Sequence, residues 1–418
     1  MRKTIVVKGP ALSRSGYGEQ TRYAIRALRS REELFDIYII NIPWGHTGHV
    51  IEQNEETDFI RECIAKTQMH INSRQGFDLS LQVTIPNEFE KMAQYNIGYT
   101  AGIETTKVSP EWIDKTNGTV DKVIVVSEHS RKVFEQTTYE VRNQQGQSIP
   151  DWGVNVPVQS IAYATRDLEE SPLDLEFTTT KNFLTVAQWG PRKNLENTIG
   201  WFVQEFRDQE DVGLVVKAST ANDSQIDYQH TLKRLENLLS HIGAHKCKVY
   251  LVHGELPPGG LTWLYRHPTM KALINIGHGE GYGLPLFEAA QCGLPLITLT
   301  WSGQLDFICK PNKKNKQVPH VIKVDYDVAK VPPNAVWPGV IQEDSMWAYA
   351  RENSYKRALR ECLEKEKHHK QRALNLQKHI LENFTPEAMY EKFVNLIYPE
   401  ELRADTEAEI NDLLADLL

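Results

Sequence analysis

Short β-prone apolar runs separated by amphipathic helical stretches recur along this chain, and that alternation restricts it to an α/β fold with mostly parallel strands. In the first half, TIVV (4–7), FDIYII (35–40), QYNIGYT (94–100) and DKVIVVS (121–127) read as strands. A turn-rich stretch from Ser13 to Gly18 precedes a helix over 19–29, whose Tyr23, Ala24, Ala27 and Leu28 share one face. Ser127 stands where it would cap the helix EHSRKVFEQ. After a loop-rich passage at 150–172 a second series begins: NFLTVAQ (182–188), VGLVVKAS (212–219), KVYLVHG (248–254), ALINIG (272–277) and LPLITLT (294–300), with a helix expected over 228–243. A chain of 418 residues exceeds one ordinary core. Two α/β units are therefore expected, 1–170 and 171–384, then an amphipathic helix at 385–398 and an acidic tail at 399–418.

The net charge of −8 gives no basic footprint for nucleic acid. Seven of the acids lie in the tail beside Arg403 alone, so the remainder is close to neutral. Five scattered cysteines, none in a C-x-x-C pair, fit reduced thiols and a cytoplasmic location. The opening MRKTIVVKGP reads as a first strand, not a signal peptide, and no window has the apolar length of a membrane span.

The stretch KALINIGHGEGYGLPLFEAAQCGLPL (271–296) is the richest in chemistry. ALINI and LPLITLT are strands, and PLFEAAQC between them is a short helix started by Pro285 and stopped by Gly293. The glycine loop therefore lies at the carboxyl end of a parallel strand, where open α/β sheets bind ligands. Glycines and a helix N-terminus suit an anion. The dinucleotide fingerprint fails, because Tyr282 stands where its third glycine belongs, and no Gly-Lys-Ser/Thr is present. Glu280 and Glu288 flank the helix start. Two acids beside an anion site would hold the hydroxyls of two sugars joined through a diphosphate. The same residues also fit a tight βα turn with a solvated glutamate.

Glu280-Gly281-Tyr282-Gly283-Leu284-Pro285, Glu288-Ala289 and Gly293-Leu294-Pro295 resemble the signature of the retaining GT-B glycosyltransferases of family four, which runs Glu-Gly-Phe-Gly-Leu-Pro, Glu-Ala, Gly-x-Pro. The stretches 186–206, 9–22 and 119–134 resemble the same family, and 277–307 is similar to phage-encoded members. The resemblance implies two Rossmann-like domains facing across a cleft, with acceptor on the first and nucleotide sugar on the second. By position, Glu288 would bind the ribose, Glu280 the donor sugar near the reacting face, and Lys193 the diphosphate. The family's arginine falls on Gln188, with Arg192 adjacent and Lys217 a further cation. Gly16 and Gly18 match the first glycine loop. Gly281, Tyr282, Gly283 and Leu284 match the second, and backbone near His253 and Gly254 would flank the base. A histidine of many members is missing from 97–112, where Glu104 is the acceptor-side candidate.

The expected activity is sugar transfer from a UDP-, GDP- or ADP-linked donor to a hydroxyl acceptor, with no cofactor and no metal. Front-face attack would need no protein nucleophile. The alternatives are the same chemistry on a hydroxymethylated DNA base, a nucleotide-sugar epimerase or NAD-linked oxidoreductase, and a silent carbohydrate-binding protein. The chain is expected to be a monomer or homodimer. Asp325-Tyr326-Asp327 is read as a chance D-x-D, and His241 and His245 as a solvated helix face. Among the loop tryptophans, Trp44 is the candidate for stacking on an acceptor sugar.

Overall fold

The computed structural model describes residues 2–142 and 145–399, so the acidic tail lies outside the described residues save for Pro399. The first half supplies β1 (Lys3–Gly9), α1 (Gly16–Arg29), β2 (Phe35–Asn41), α2 (Glu55–Asn72), β3 (Leu79–Gln82), β4 (Tyr95–Thr100), α3 (Pro110–Thr119), β5 (Lys122–Val125), α4 (Glu128–Gln136), the hairpin β6 (Tyr139–Arg142) and β7 (Ser148–Trp152), and β8 (Val158–Ser160). Ser127 does cap α4, its side chain accepting from the Ser130 amide.

The second half supplies β9 (Lys181–Gln188), α5 (Leu195–Glu205), β10 (Val212–Ser219), α6 (Gln225–Ile242), β11 (Lys248–Val252), α7 (Gly260–Arg266), β12 (Met270–Asn275), α8 (Leu284–Gln291), β13 (Leu296–Leu299), α9 (Leu305–Ile308), the hairpin β14 (Cys309–Pro311) and β15 (Gln317–Pro319), and β16 (Ile322–Val324). The hairpin β17 (Tyr326–Lys330) and β18 (Met346–Ala350) follows, then α10 (Glu352–Glu364), α11 (Glu366–Asn383) and α12 (Pro386–Ile397). No helix among the described residues is long and apolar enough to cross a membrane.

Two six-stranded parallel sheets result, in the orders β2-β1-β3-β4-β5-β8 and β11-β10-β9-β12-β13-β16. Both orders reverse once, between β1 and β3 and between β9 and β12. Ligands of doubly wound sheets bind outside the carboxyl ends of the strands at such switch points. The loops after β9 and β12 carry Arg192, Lys193 and Glu280, so topology delivers the charged residues to one place.

The lobes are joined in several ways. Helix α12 packs on α1: Phe393 meets Tyr23 edge-on at 5.5 Å, and Lys122 on β5 donates to the terminal carbonyl of Leu396 at 2.8 Å. The β17–β18 excursion crosses back to the first lobe, where Lys107 pairs with Asp344 at 2.5 Å and Val340 joins the apolar cluster around Trp112.

A third link is polar. The Asp306 carboxylate accepts from the Glu128 amide at the start of α4, at 2.8 Å. Burial pushes this carboxyl up to about 6, against the Glu128 hydrogen bond and Lys132, with the Glu128 charge adding to the rise. A carboxyl raised on folding contributes fully below its ordinary range and loses that contribution as pH climbs through 6. Relative to Asp306→Asn, which is neutral throughout, the wild type is expected to lose roughly 3 kcal/mol between pH 4 and pH 7. Denaturant melts of both proteins at the two pH values check this; a pH-independent difference contradicts it.

Candidate active site

The turn after β9 is built to aim two cations. Asn194 adopts the left-handed conformation at φ 53° and donates from its side chain to the Ile276 carbonyl at 3.1 Å. Asparagine tolerates that conformation better than most residues. The Lys193 amide closes the turn onto Gly190 at 3.1 Å, and the Arg192 carbonyl accepts from the His278 amide at 2.8 Å. The two loops are thus fastened to each other independently of their charged side chains.

Glu280 is buried between those cations. Lys193 Nζ lies 2.5 Å from Oε1, and Arg192 Nη1 lies 3.1 Å from Oε2. Asn275 donates to Oε1 at 3.0 Å. Arg192 also reaches Glu104 of the opposite lobe at 3.2 Å and the Gly279 carbonyl at 2.7 Å. Burial opposes ionisation of Glu280, but Lys193 and Arg192, with the bonds from Asn275 and Lys193, hold it down at about 2. Burial raises the Glu104 carboxyl despite Arg192, and burial together with Arg192 lowers the Lys193 ammonium.

The glycines around Glu280 serve mainly to let the lobes meet. A Cβ on Gly279 or Gly281 would collide with the carbonyls of Glu104 or Ala101 across the interface. The Glu280 amide is engaged by Ser302 Oγ at 2.9 Å. Helix α8 follows directly behind this loop. Its N-cap is Gly283 at φ 93°, with no side chain capping the first turn. Uncapped first-turn amides leave a partial positive charge there.

Glu288 lies on the same helix, half-buried. It pairs through Oε1 with Arg166 and accepts from Tyr265 Oη at 3.3 Å on Oε2. Burial pushes its carboxyl up while Arg166 pulls it down. Glu280, Glu288, Lys193, Arg192 and Glu104 all line one cleft of about 890 Å³ between the lobes.

Of the other expected residues, Gly16, Gln188, Lys217, Gly254, Gly281, Gly283 and Leu284 also line the cleft. Lys217 Nζ donates to the Gly254 carbonyl at 2.5 Å, and the Gln188 amide turns to the Thr220 carbonyl. Arg192, rather than Gln188, is thus the second group on Glu280. Tyr282 lines the cleft, but its ring is buried against Tyr163, Phe287 and Phe307. Two residues lie elsewhere. Gly18 sits inside α1, its amide taken by Ser15 Oγ at 3.0 Å, because the helix starts earlier than its apolar pattern. The His253 ring turns from the cleft to Asp227, at 2.8 Å.

Asp325 and Asp327 are exposed and paired with Arg357 and Arg351. His245 lies past the end of α6 at Ile242, so it does not share a helix face with His241. Arg166 was missed by sequence reasoning, since it lies in an irregular segment without periodicity. Asn275 was missed as the last residue of an apolar strand, and Tyr17 because it lies in the turn-rich stretch that opens α1. Tyr17 lies against Trp44 in the cleft with ring centroids 4.3 Å apart, and its hydroxyl is fixed by Thr100 at 2.8 Å.

The same architecture recurs in solved structures. Sucrose-phosphate synthase from Thermosynechococcus elongatus superposes with a TM-score of 0.61 at 15% identity, covering 94% of this chain and 98% of that one. Anabaena HepE, solved with UDP-glucose, gives 0.57 at 10% identity over 94% and 99%. A UDP-forming α,α-trehalose-phosphate synthase from Burkholderia xenovorans gives 0.53 at 10% over 94% and 98%. The chain has the GT-B fold. No family model matches the sequence, and no curated protein matches it in sequence. The likeness therefore lies in the fold.

Proposed function

We propose that this chain is a retaining glycosyltransferase of the family-four type, moving a sugar from a nucleoside diphosphate sugar to a hydroxyl acceptor without a metal. The first lobe (1–170) serves the acceptor and the second (171–384) the donor. The observation that carries this reading is Glu280 clasped by Lys193 and Arg192 beside the uncapped start of α8, with Glu288 further along the same helix. Cations and helix amides suit a diphosphate, and the two carboxylates suit hydroxyl-rich groups at its ends. Proteins of like fold support a nucleotide-sugar ligand, one having been solved with UDP-glucose and another being UDP-forming.

In the proposed step the bond between the sugar C1 and the β-phosphate oxygen breaks as the acceptor oxygen bonds to C1 on the same face. The acceptor proton passes to the departing phosphate oxygen. Lys193 and the α8 amides stabilise the charge growing on that phosphate, and Glu280 bonds the sugar hydroxyls. Glu288 takes the ribose, and the Gly254 backbone flanks the base.

Seven acidic side chains against five cationic ones line the cleft, which disfavours a nucleic-acid backbone and with it transfer to a DNA base. The Trp44–Tyr17 pair instead offers an aromatic surface for a sugar ring. Trp44→Ala is expected to raise the acceptor KM roughly 3- to 10-fold while leaving acceptor-independent donor hydrolysis unchanged. Steady-state kinetics at saturating donor measure it, and an unaltered acceptor KM refutes this placement.

The proposed function itself is tested by incubating the protein with UDP-, GDP- and ADP-sugars and with NAD. Release of one nucleoside diphosphate supports it. Binding of NAD with no nucleotide release from any donor overturns it.

A further inference from the structure

We propose that Arg166, in the segment joining the two lobes, is a positioning residue that fixes the Glu288 carboxylate for the donor ribose and ties that grip to the seating of α1. The inference rests on the reading of Glu288 given above. The Arg166 guanidinium spans the lobes: Nη2 pairs with Glu288 Oε1 on α8, and Nη1 lies 2.9 Å from Glu19 Oε1 on α1. Its main chain is held as well, the amide donating to Gln291 Oε1 at 3.4 Å and the carbonyl accepting from Gln291 Nε2. Glu19 is anchored in turn by Arg26 at 2.5 Å and Arg22 at 3.1 Å. With Tyr265 on the other oxygen, Glu288 is set in a single orientation. A planar guanidinium imposes that geometry where an ammonium would not.

The groups facing Glu288 are Arg166 from the linker, Glu19 from α1, Tyr265 from α7 and Cys292 at the end of α8. Burial and Glu19 push its carboxyl up, and Arg166 and the Tyr265 hydrogen bond oppose them. Removing Arg166 leaves the half-buried carboxylates of Glu288 and Glu19 facing each other. Glu288 then takes up a proton more readily as pH falls, and its hold on a ribose hydroxyl weakens.

The test uses whichever of UDP-glucose, GDP-mannose or ADP-glucose the wild type hydrolyses fastest. Arg166→Gln is expected to raise the donor KM about 10- to 100-fold with kcat within a few-fold of wild type. That KM should climb further as pH is lowered from 8 to 6, while the wild-type KM stays flat. Arg166→Lys, which keeps the charge and loses the fork, should restore the flat profile and only part of the KM. Adding Glu288→Gln to Arg166→Gln should cost little beyond either change alone. If Arg166→Gln folds poorly, the Arg166→Lys split between KM and pH profile still decides. An unchanged donor KM, or a loss confined to kcat, overturns the positioning role while wild-type turnover leaves the glycosyltransferase reading intact. Failure of the wild type to act on any of the three donors overturns both.

Discussion

Lys193→Ala is expected to lower kcat/KM for nucleotide release about 10²- to 10³-fold, the usual loss when one preorganised donor to a developing anion is removed. The structure explains why this lysine matters more than its neighbour. Arg192 already serves the Gly279 carbonyl, Glu280 and Glu104. The Lys193 ammonium has three donors, of which Glu280 takes one at 2.5 Å. It therefore has capacity left for a phosphate oxygen. Little loss of fold stability should accompany the change, because Glu280 keeps Arg192 and Asn275. Kinetics with subsaturating donor, read beside a thermal melt, separate the two effects. Turnover within threefold of wild type would remove Lys193 from the account.

Glu280→Gln is expected to damage the fold as well as the reaction. The carboxylate is buried, and its neutralisation leaves Lys193 and Arg192 facing each other without their shared anion. Breaking a buried pair by removing one partner typically costs about 3–5 kcal/mol. At the usual slope for larger domains this lowers Tm by roughly 6–20 °C. The depressed carboxyl sets the sign with pH: its contribution is present above the ordinary carboxylate range and vanishes only as pH falls through about 2. The deficit of the variant should thus be constant between pH 6 and 8. A nucleoside diphosphate supplies the missing negative charge, so it should raise the Tm of Glu280→Gln more than that of the wild type. A Tm within 2 °C of wild type would show that Glu280 does not hold the two cations together.

How much of this was legible in the sequence depends on distance along the chain. The β12–α8 unit was readable because its chemistry is local: Pro285 starts the helix, Gly293 at φ 70° stops it, and both glutamates lie within one strand–loop–helix unit. Strand β10 was found at its observed limits, since a fully buried parallel strand is a continuous apolar run. Strand β3 was not found. Its sequence LSLQ is half polar, and Ser80 and Gln82 are buried only because Asn96 and the Glu90 backbone satisfy them. Helix α6 begins before its apolar pattern because Ser224 caps it through the Asp227 amide at 3.2 Å. Arg166 was illegible for a different reason. Its partners lie 147 and 122 positions away, on α1 of the first lobe and α8 of the second.

Whether the interlobe cleft holds a nucleoside diphosphate sugar by its two phosphates is decided by a structure of the protein crystallised with its preferred donor. The diphosphate is expected between Lys193 and the first turn of α8, with Glu288 on the ribose and Glu280 on the sugar. A donor bound elsewhere, or one seated in the cleft with Lys193 and both glutamates turned away from it, would contradict it.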